Sequence, residues 1–315
     1  MRNTMVLFEA ANFLGAKLAD LLLERGYSIY TIDSLSHAAD TYLAKFDYNR
    51  NFKRIPIGDF DNGLLDKASI KAVYYMGVPI CFSFEQMFPV QILDANNRIT
   101  KTALDLSDAA KAVFINVSRK NTCNIPGIAG CKAKLPTKIL NQACKFSEAL
   151  SRQARENNGT DIKLVRVYNC YGENMLCSFI SPIPALVAQA LNGGILRIFD
   201  NGQEMQSFCY SGDVAKALAQ IPDSNASLVL NLANPVKSNI ADIAGKIASI
   251  CGKGDIISIN SNTQKSYTDN DFEPDISHAV DTLNWNPNTS IDEGLLATVN
   301  SFTNGMQPCM GPKFD

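Results

Sequence analysis

The chain has few groups that could move a proton, hold a metal or attack an electrophile, and their spacing narrows the choice. Nine cysteines and two histidines fall without C-x-x-C or Cys/His spacing. No metal centre and no disulfide framework are therefore expected, and reduced thiols in a cytoplasmic setting follow. An acid–base couple on one helix face needs partners three or four residues apart. Lys145 has Asn141 four residues before it and Glu148 three after, so from the residues alone it is a solvated lysine or half of an ion pair. None of the ten tyrosines stands four residues ahead of a lysine. Asp33 and Asp59 each follow a strand-like run, where a carboxylate either grips a ligand hydroxyl or starts a turn. Ser118 ends another such run and reads equally as a plain strand-end serine.

The partners these groups could meet are limited by charge. Lys+Arg 29 against Asp+Glu 31, with no basic block, gives no footprint for nucleic acid or an anionic membrane surface. The apolar patch Met5 to Phe8 is too short for a secretory leader, and no segment reaches the length of a membrane span. A small or partly neutral partner is expected.

The elements that must position these residues alternate. At 315 residues and 46% apolar content the chain can bury one large core or two unequal ones. Met5 to Phe8 reads as a buried strand, and Phe13 to Arg25, with Leu14, Leu18, Leu21 and Leu22, as an amphipathic helix ended by Gly26. Ser28 to Ile32 is the next strand, closing at Asp33; further strands are expected at Arg54 to Ile57, Ala72 to Met76, Val113 to Val117 and Lys163 to Tyr168. That order predicts an α/β fold with a doubly wound parallel sheet over residues 1–172 and a smaller α/β lobe over 173–303, from which the chain crosses back. Pro182, Pro184, Gly193-Gly194 and the polar run Asn260 to Asp271 mark the lobe; 304–315 is a loose tail.

Four signatures in one register carry a family resemblance along the whole chain. Arg166-Val167-Tyr168-Asn169-Cys170-Tyr171-Gly172 is similar to R-x-F-N-x-Y-G-P-R, and Leu196 to Asp213 to L-x-V-Y-G-D-G-x-Q-x-R-S-F-x-Y-V-x-D. Asn231 to Asn234 resembles an N-L-G-N strand, and Glu273 to Ser277 with Leu283 to Pro287 resembles R-x-P-D-I-S... L-G-W-x-P. The chain thus resembles the extended short-chain dehydrogenases/reductases, in particular nucleotide-sugar epimerases, 4,6-dehydratases and UDP-glucuronate decarboxylases. The resemblance implies NAD in a G-x-x-G-x-x-G loop, a Tyr-x-x-x-Lys base with a Ser or Thr on the preceding strand, and a nucleotide-linked sugar as substrate.

Carried over residue by residue, much of that machinery is altered. The three glycine positions are Glu9, Asn12 and Gly15. Such glycines let the backbone approach the pyrophosphate at a helix N-terminus. A carboxylate at Glu9, ~4 Å from a phosphate at an effective dielectric of about 20, would repel it by ~4 kcal/mol, so ordinary NAD binding is not expected. The milder reading has Glu9 pointing into solvent or capping the helix from outside. Asp33 corresponds to the residue that grips the adenosine ribose and Asp59 to one near the adenine. Lys145 falls at the catalytic lysine, but Asn141 replaces the tyrosine and cannot ionise to take a sugar hydroxyl proton; Ser118 is the remnant strand-end serine. Asn169 matches a substrate-binding asparagine. Glu173-Asn174 stands for Pro-Arg, and Gln206 and Phe272 each stand for an arginine, so three forks for a diphosphate are missing. Ala185 falls where an asparagine usually contacts the nucleotide.

Three readings follow. A member without chemistry would act as a structural or regulatory subunit beside an active relative. A working NAD-dependent enzyme on a nucleotide-linked sugar would need a non-standard base, with Arg119, Lys120 and Lys145 as candidates. A binding module would keep a nucleotide or another small ligand near Asp33 and Asp59. The resemblance also implies pairing, as a homodimer or a heteromer with a related subunit, through helices near 97–112 and 137–156, whose Ile99, Leu104, Ile139, Leu140, Ala143 and Leu150 suit either that seam or packing on the sheet.

Overall fold

Alternation along the first strand explains the layering. β1 (Thr4–Phe8) turns Met5 and Leu7 into one apolar cluster and Val6 and Phe8 into another, as a strand of period two must when both faces of its sheet are covered. The first cluster takes Leu14, Leu18 and Leu22 of α1 (Phe13–Glu24), which lie three to four residues apart on one stripe. The chain is described here by a computed structural model covering residues 3–34, 36–77, 89–120, 135–175, 181–226, 228–259 and 274–303. The expected polar run from Asn260, Phe272 and the tail from Asn304 lie outside the described residues.

From β1 the chain builds a parallel sheet. β2 (Ser28–Asp33), β3 (Phe52–Pro56), β4 (Ile70–Tyr75), β5 (Val113–Lys120) and β6 (Ile162–Tyr168) come in sequence, with α2 (Ser36–Leu43), α3 (Pro89–Ala110) and α4 (Leu135–Asn158) between them. With the later strand β11 (Val229–Leu232), the spatial order is β11-β6-β5-β4-β1-β2-β3, all neighbours parallel. The doubly wound sheet expected from the sequence is therefore present, and its order reverses between β1 and β4, where such sheets open a ligand crevice at their carboxyl ends. Ile99, Ala103 and Leu106 of α3 fill the second cluster.

Beyond Gly172 the elements shorten. β7 (Cys170–Tyr171), α5 (Pro182–Asn192), β8 (Ile195–Phe199), β9 (Met205–Ser207), β10 (Cys209–Tyr210) and α6 (Ser211–Gln220) lead to β11 (Val229–Leu232), which pairs with β6 in the main sheet. β12 (Lys237–Asn239), α7 (Ile240–Cys251), β13 (Asp255–Ile259), α8 (Ser277–Leu283) and α9 (Ile291–Thr303) complete the chain. Ile183, Leu186, Ile198, Ile243, Ile247 and Leu295 form the lobe's own cluster. Trp285 donates its indole N–H to the Asp213 carbonyl at 2.8 Å, and the Asp213 carboxylate accepts from Thr289 N at 2.8 Å. These two bonds clamp the Leu283 to Pro287 segment onto α6.

Ile99, Leu104, Leu140 and Ala143, expected either at a subunit seam or on the sheet, are already buried within the single chain. Among the described residues no helix is long and apolar enough to cross a membrane.

Candidate functional site: a cleft at the carboxyl ends of β1, β2, β4 and β5

The turn from β1 into α1 is built by two polar side chains. Asn12 N-caps α1 in extended conformation, its Oδ1 accepting from Gly15 N at 3.0 Å and its Nδ2 donating to the Glu9 carbonyl at 2.9 Å. A Cβ on Gly15 would lie 2.2 Å from the Ala10 carbonyl oxygen, so the close packing of helix on loop needs glycine there. Glu9 sits in the left-handed region at φ 57°, a conformation glycine takes freely and a side chain resists.

Glu9 neither faces solvent nor caps the helix. Its side chain is fully buried, with Oε2 accepting from Ser34 Oγ at 2.9 Å. Burial first, and the nearby charge of Asp33 second, push its pKa up to about 8 against the Ser34 hydrogen bonds. The acid is thus mostly protonated at neutral pH, and the repulsion expected for a carboxylate in this loop does not arise. What remains is its bulk. Asp33 is buried beside it: Oδ1 accepts from Ala11 N at 2.7 Å, while Oδ2 has no hydrogen-bond partner. Burial pushes the Asp33 pKa up to about 6. Asp59, in a single turn after β3, is exposed.

NAD can be tested against these groups. Gly15 and the unpartnered Asp33 Oδ2 suit a dinucleotide, whose ribose hydroxyl could donate to that oxygen. Glu9 does not, because its buried carboxyl lies against Ser34 and beside Asp33 at the same strand end. As it stands, the loop does not fit the adenosine half of the cofactor.

On the other side of the switch point, a cavity of about 20 Å³ lies between β4, β5 and α4, lined in part by Tyr75, Asn96, Arg119, Leu140, Asn141 and Cys144. Asn141 lines it; Lys145 is exposed and does not. Adjacent helical residues point about 100° apart, and α4 turns Leu140 and Cys144 inward instead, which moves Lys145 to solvent. Its other expected partner is also taken. Glu148 receives a bidentate pair from Arg166, at 3.2 Å from Nε and 2.7 Å from Nη2. Tyr75 is no substitute base: its hydroxyl donates to Asn96 Oδ1 at 2.7 Å, and complete burial raises its pKa far above the usual range. Of the alternative bases, Arg119 lines the cavity and the side chain of Lys120 lies outside the described residues. Ser118 is buried with Oγ unpartnered and does not line it. Among the described residues no cluster of His, Cys, Asp or Glu could hold a metal.

The expected substrate contacts are dispersed. Asn169 donates its amide to the Ser207 carbonyl at 2.9 Å. Asn174 is exposed and bonds Ser301 through its backbone N at 3.0 Å, while Glu173 pairs with Lys17 of α1 at 3.1 Å. Gln206, buried, joins Ala185, Leu186, Ile198, Phe199 and Glu204 around a separate, largely apolar pocket of about 60 Å³. Sequence reasoning missed Leu140, Cys144 and the Glu148–Arg166 pair. The available signal was the buried stripe at 140, 143, 147, 148 and 151, whose phase fixes which residues face the sheet.

Comparisons with known proteins agree with this fold. UDP-glucuronic acid decarboxylase 1 of Xenopus tropicalis is 22% identical over 311 residues, covering 96% of this chain and 72% of the relative. UDP-glucuronic acid decarboxylase 1 of Arabidopsis thaliana is 24% identical over 317 residues, covering 96% of this chain and 70% of its own. Among solved structures, UDP-glucuronic acid 4-epimerase from Bacillus cereus, in complex with UDP-glucuronic acid and NAD, is 20% identical and superposes with a TM-score of 0.77 over 95% of this chain and 99% of that one. The dTDP-glucose 4,6-dehydratase from Bacillus anthracis, in complex with NAD, gives 0.74 at 15% identity, over 95% and 96% of the two chains. The profile of the NAD dependent epimerase/dehydratase family matches residues 10–233, and the chain belongs to that family.

Proposed function

We propose that this family member performs no NAD-dependent chemistry on sugars and serves as a structural or regulatory subunit, paired with a copy of itself or with an active relative. One observation carries the reading: the inward face of α4 presents Leu140, Asn141 and Cys144 to the cavity, and Lys145 faces solvent. Proton abstraction from a sugar hydroxyl needs a group whose pKa is tuned toward the working pH. Amide, alkyl and guanidinium side chains offer no such group. The test is to incubate the purified chain with UDP-glucuronate and NAD and follow products by chromatography. No product is expected; multiple turnovers from a preparation free of homologues would sink the reading. Light scattering on the same preparation reads the pairing, for which two copies or a co-purifying relative are expected and a lone monomer is not.

A second reading, a small-ligand binding module, is favoured by the pocket between α5 and β8, where Leu186, Ile198 and Phe199 give an apolar floor. Native mass spectrometry of the purified chain separates it from the first, since only the binding module retains a small molecule there.

A further inference from the structure

Glu9 is a costly choice for its position, and the surroundings show what it gains. At φ 57° a side chain is strained where glycine is not. Yet this side chain is wholly enclosed, and four hydrogen bonds lock the turn that holds it. Ser34 Oγ donates to its carboxyl at 2.9 Å; Asn12 Nδ2 donates to its carbonyl at 2.9 Å; Gly15 N donates to Asn12 Oδ1 at 3.0 Å; Ala11 N donates to Asp33 Oδ1 at 2.7 Å. The turn after β1 is thereby stitched to the end of β2 by the protein's own groups. Two oxygens, Glu9 Oε1 and Asp33 Oδ2, are enclosed there without partners.

The groups that bear on Glu9 come from several strands. Asp33 and Ser34 reach it from the end of β2, and Tyr75 of β4 lies within its field, the tyrosine hydroxyl already committed to Asn96. Arg54 of β3 acts on Asp33 while paired with Asp40 at 2.8 Å and Asp47 at 2.6 Å. Among the described residues no cation bonds Glu9 itself, which suits a neutral acid.

We propose that Glu9 is a built-in occupant of the dinucleotide cleft: its carboxyl takes the ground beside Asp33 and Ser34 where an adenosine ribose would rest, and it keeps this chain free of NAD. The inference goes beyond the loss of a base, since a chain without a base could still hold the cofactor.

The experiment is calorimetric titration of the full chain and its Glu9→Gly variant with NAD, ADP-ribose and nicotinamide mononucleotide. Wild type should take up none of the three at about 1 mM, and Glu9→Gly should bind NAD and ADP-ribose at least roughly tenfold more tightly than wild type. Nicotinamide mononucleotide, which lacks the adenosine half, should gain nothing. Uptake of NAD by wild type as tight as by the variant overturns the proposal, as does a folded variant that binds neither adenosine probe. If circular dichroism shows Glu9→Gly unfolded, Ser34→Ala removes only the anchor of the carboxyl; a gain of a few-fold for ADP-ribose is then expected, and no gain overturns the proposal. NAD uptake by wild type without sugar turnover would defeat this inference and leave the proposed function standing. Turnover of UDP-glucuronate would defeat the proposed function instead.

Discussion

The two halves of the cleft are built in different ways. Around β1 and β2 the polar groups compensate one another: Asn12 caps the helix, Ser34 meets the Glu9 carboxyl, and Ala11 N meets Asp33. Around β4, β5 and α4 a thiol, an amide and an apolar side chain border the cavity, and Lys145 faces solvent. A loop must satisfy its backbone amides or the fold suffers, whereas a missing proton acceptor disturbs only chemistry.

The largest expected effect lies outside both halves, in the scaffold they share. Arg166→Ala leaves the buried Glu148 carboxylate without its bidentate partner and should destabilise the fold by about 3 kcal/mol, read by urea denaturation. A loss under about 1 kcal/mol would mean that this pair does not hold α4 in register.

Next comes pH. Glu9 and Asp33 have folded pKa values raised to about 8 and about 6. Each therefore binds its proton more tightly folded than unfolded, so stability is highest below the unfolded values and falls as pH rises through the folded ones. Between pH 6 and 8 the Glu9 contribution should fall by about 1.4 kcal/mol per unit. The melting temperature should drop over that range in wild type and stay nearly flat in Glu9→Gln. A flat wild-type profile would show that the loop half is not compensated as described.

Asn12→Ala removes a cap and should cost about 1 kcal/mol; Lys145→Ala, on the exposed face of α4, should change stability by less than about 0.5 kcal/mol. Equal effects from these two would erase the contrast between a rebuilt loop and a solvated remnant.

Much of the architecture was legible in the sequence because its signals are local. The apolar run at Met5 to Phe8, the leucine stripe of α1 and the motif order pointed to the strands and their sequence. The site's details were less legible because they depend on phase and on distant partners. Cys144 and Lys145 are neighbours on one helix, and only the orientation of α4 on the sheet decides between them. The fate of Glu9 depends on Ser34, which lies 25 positions away in sequence and is brought near by the β1–β2 register.

The return of β11 to the edge of the main sheet beside β6 has a consequence for dissection. A polypeptide ending at Gly172 would expose the Leu164 to Val167 ladder that β11 covers, and the excised remainder would carry an orphan strand. The protein is interlaced, so neither piece should behave as an autonomous folding unit.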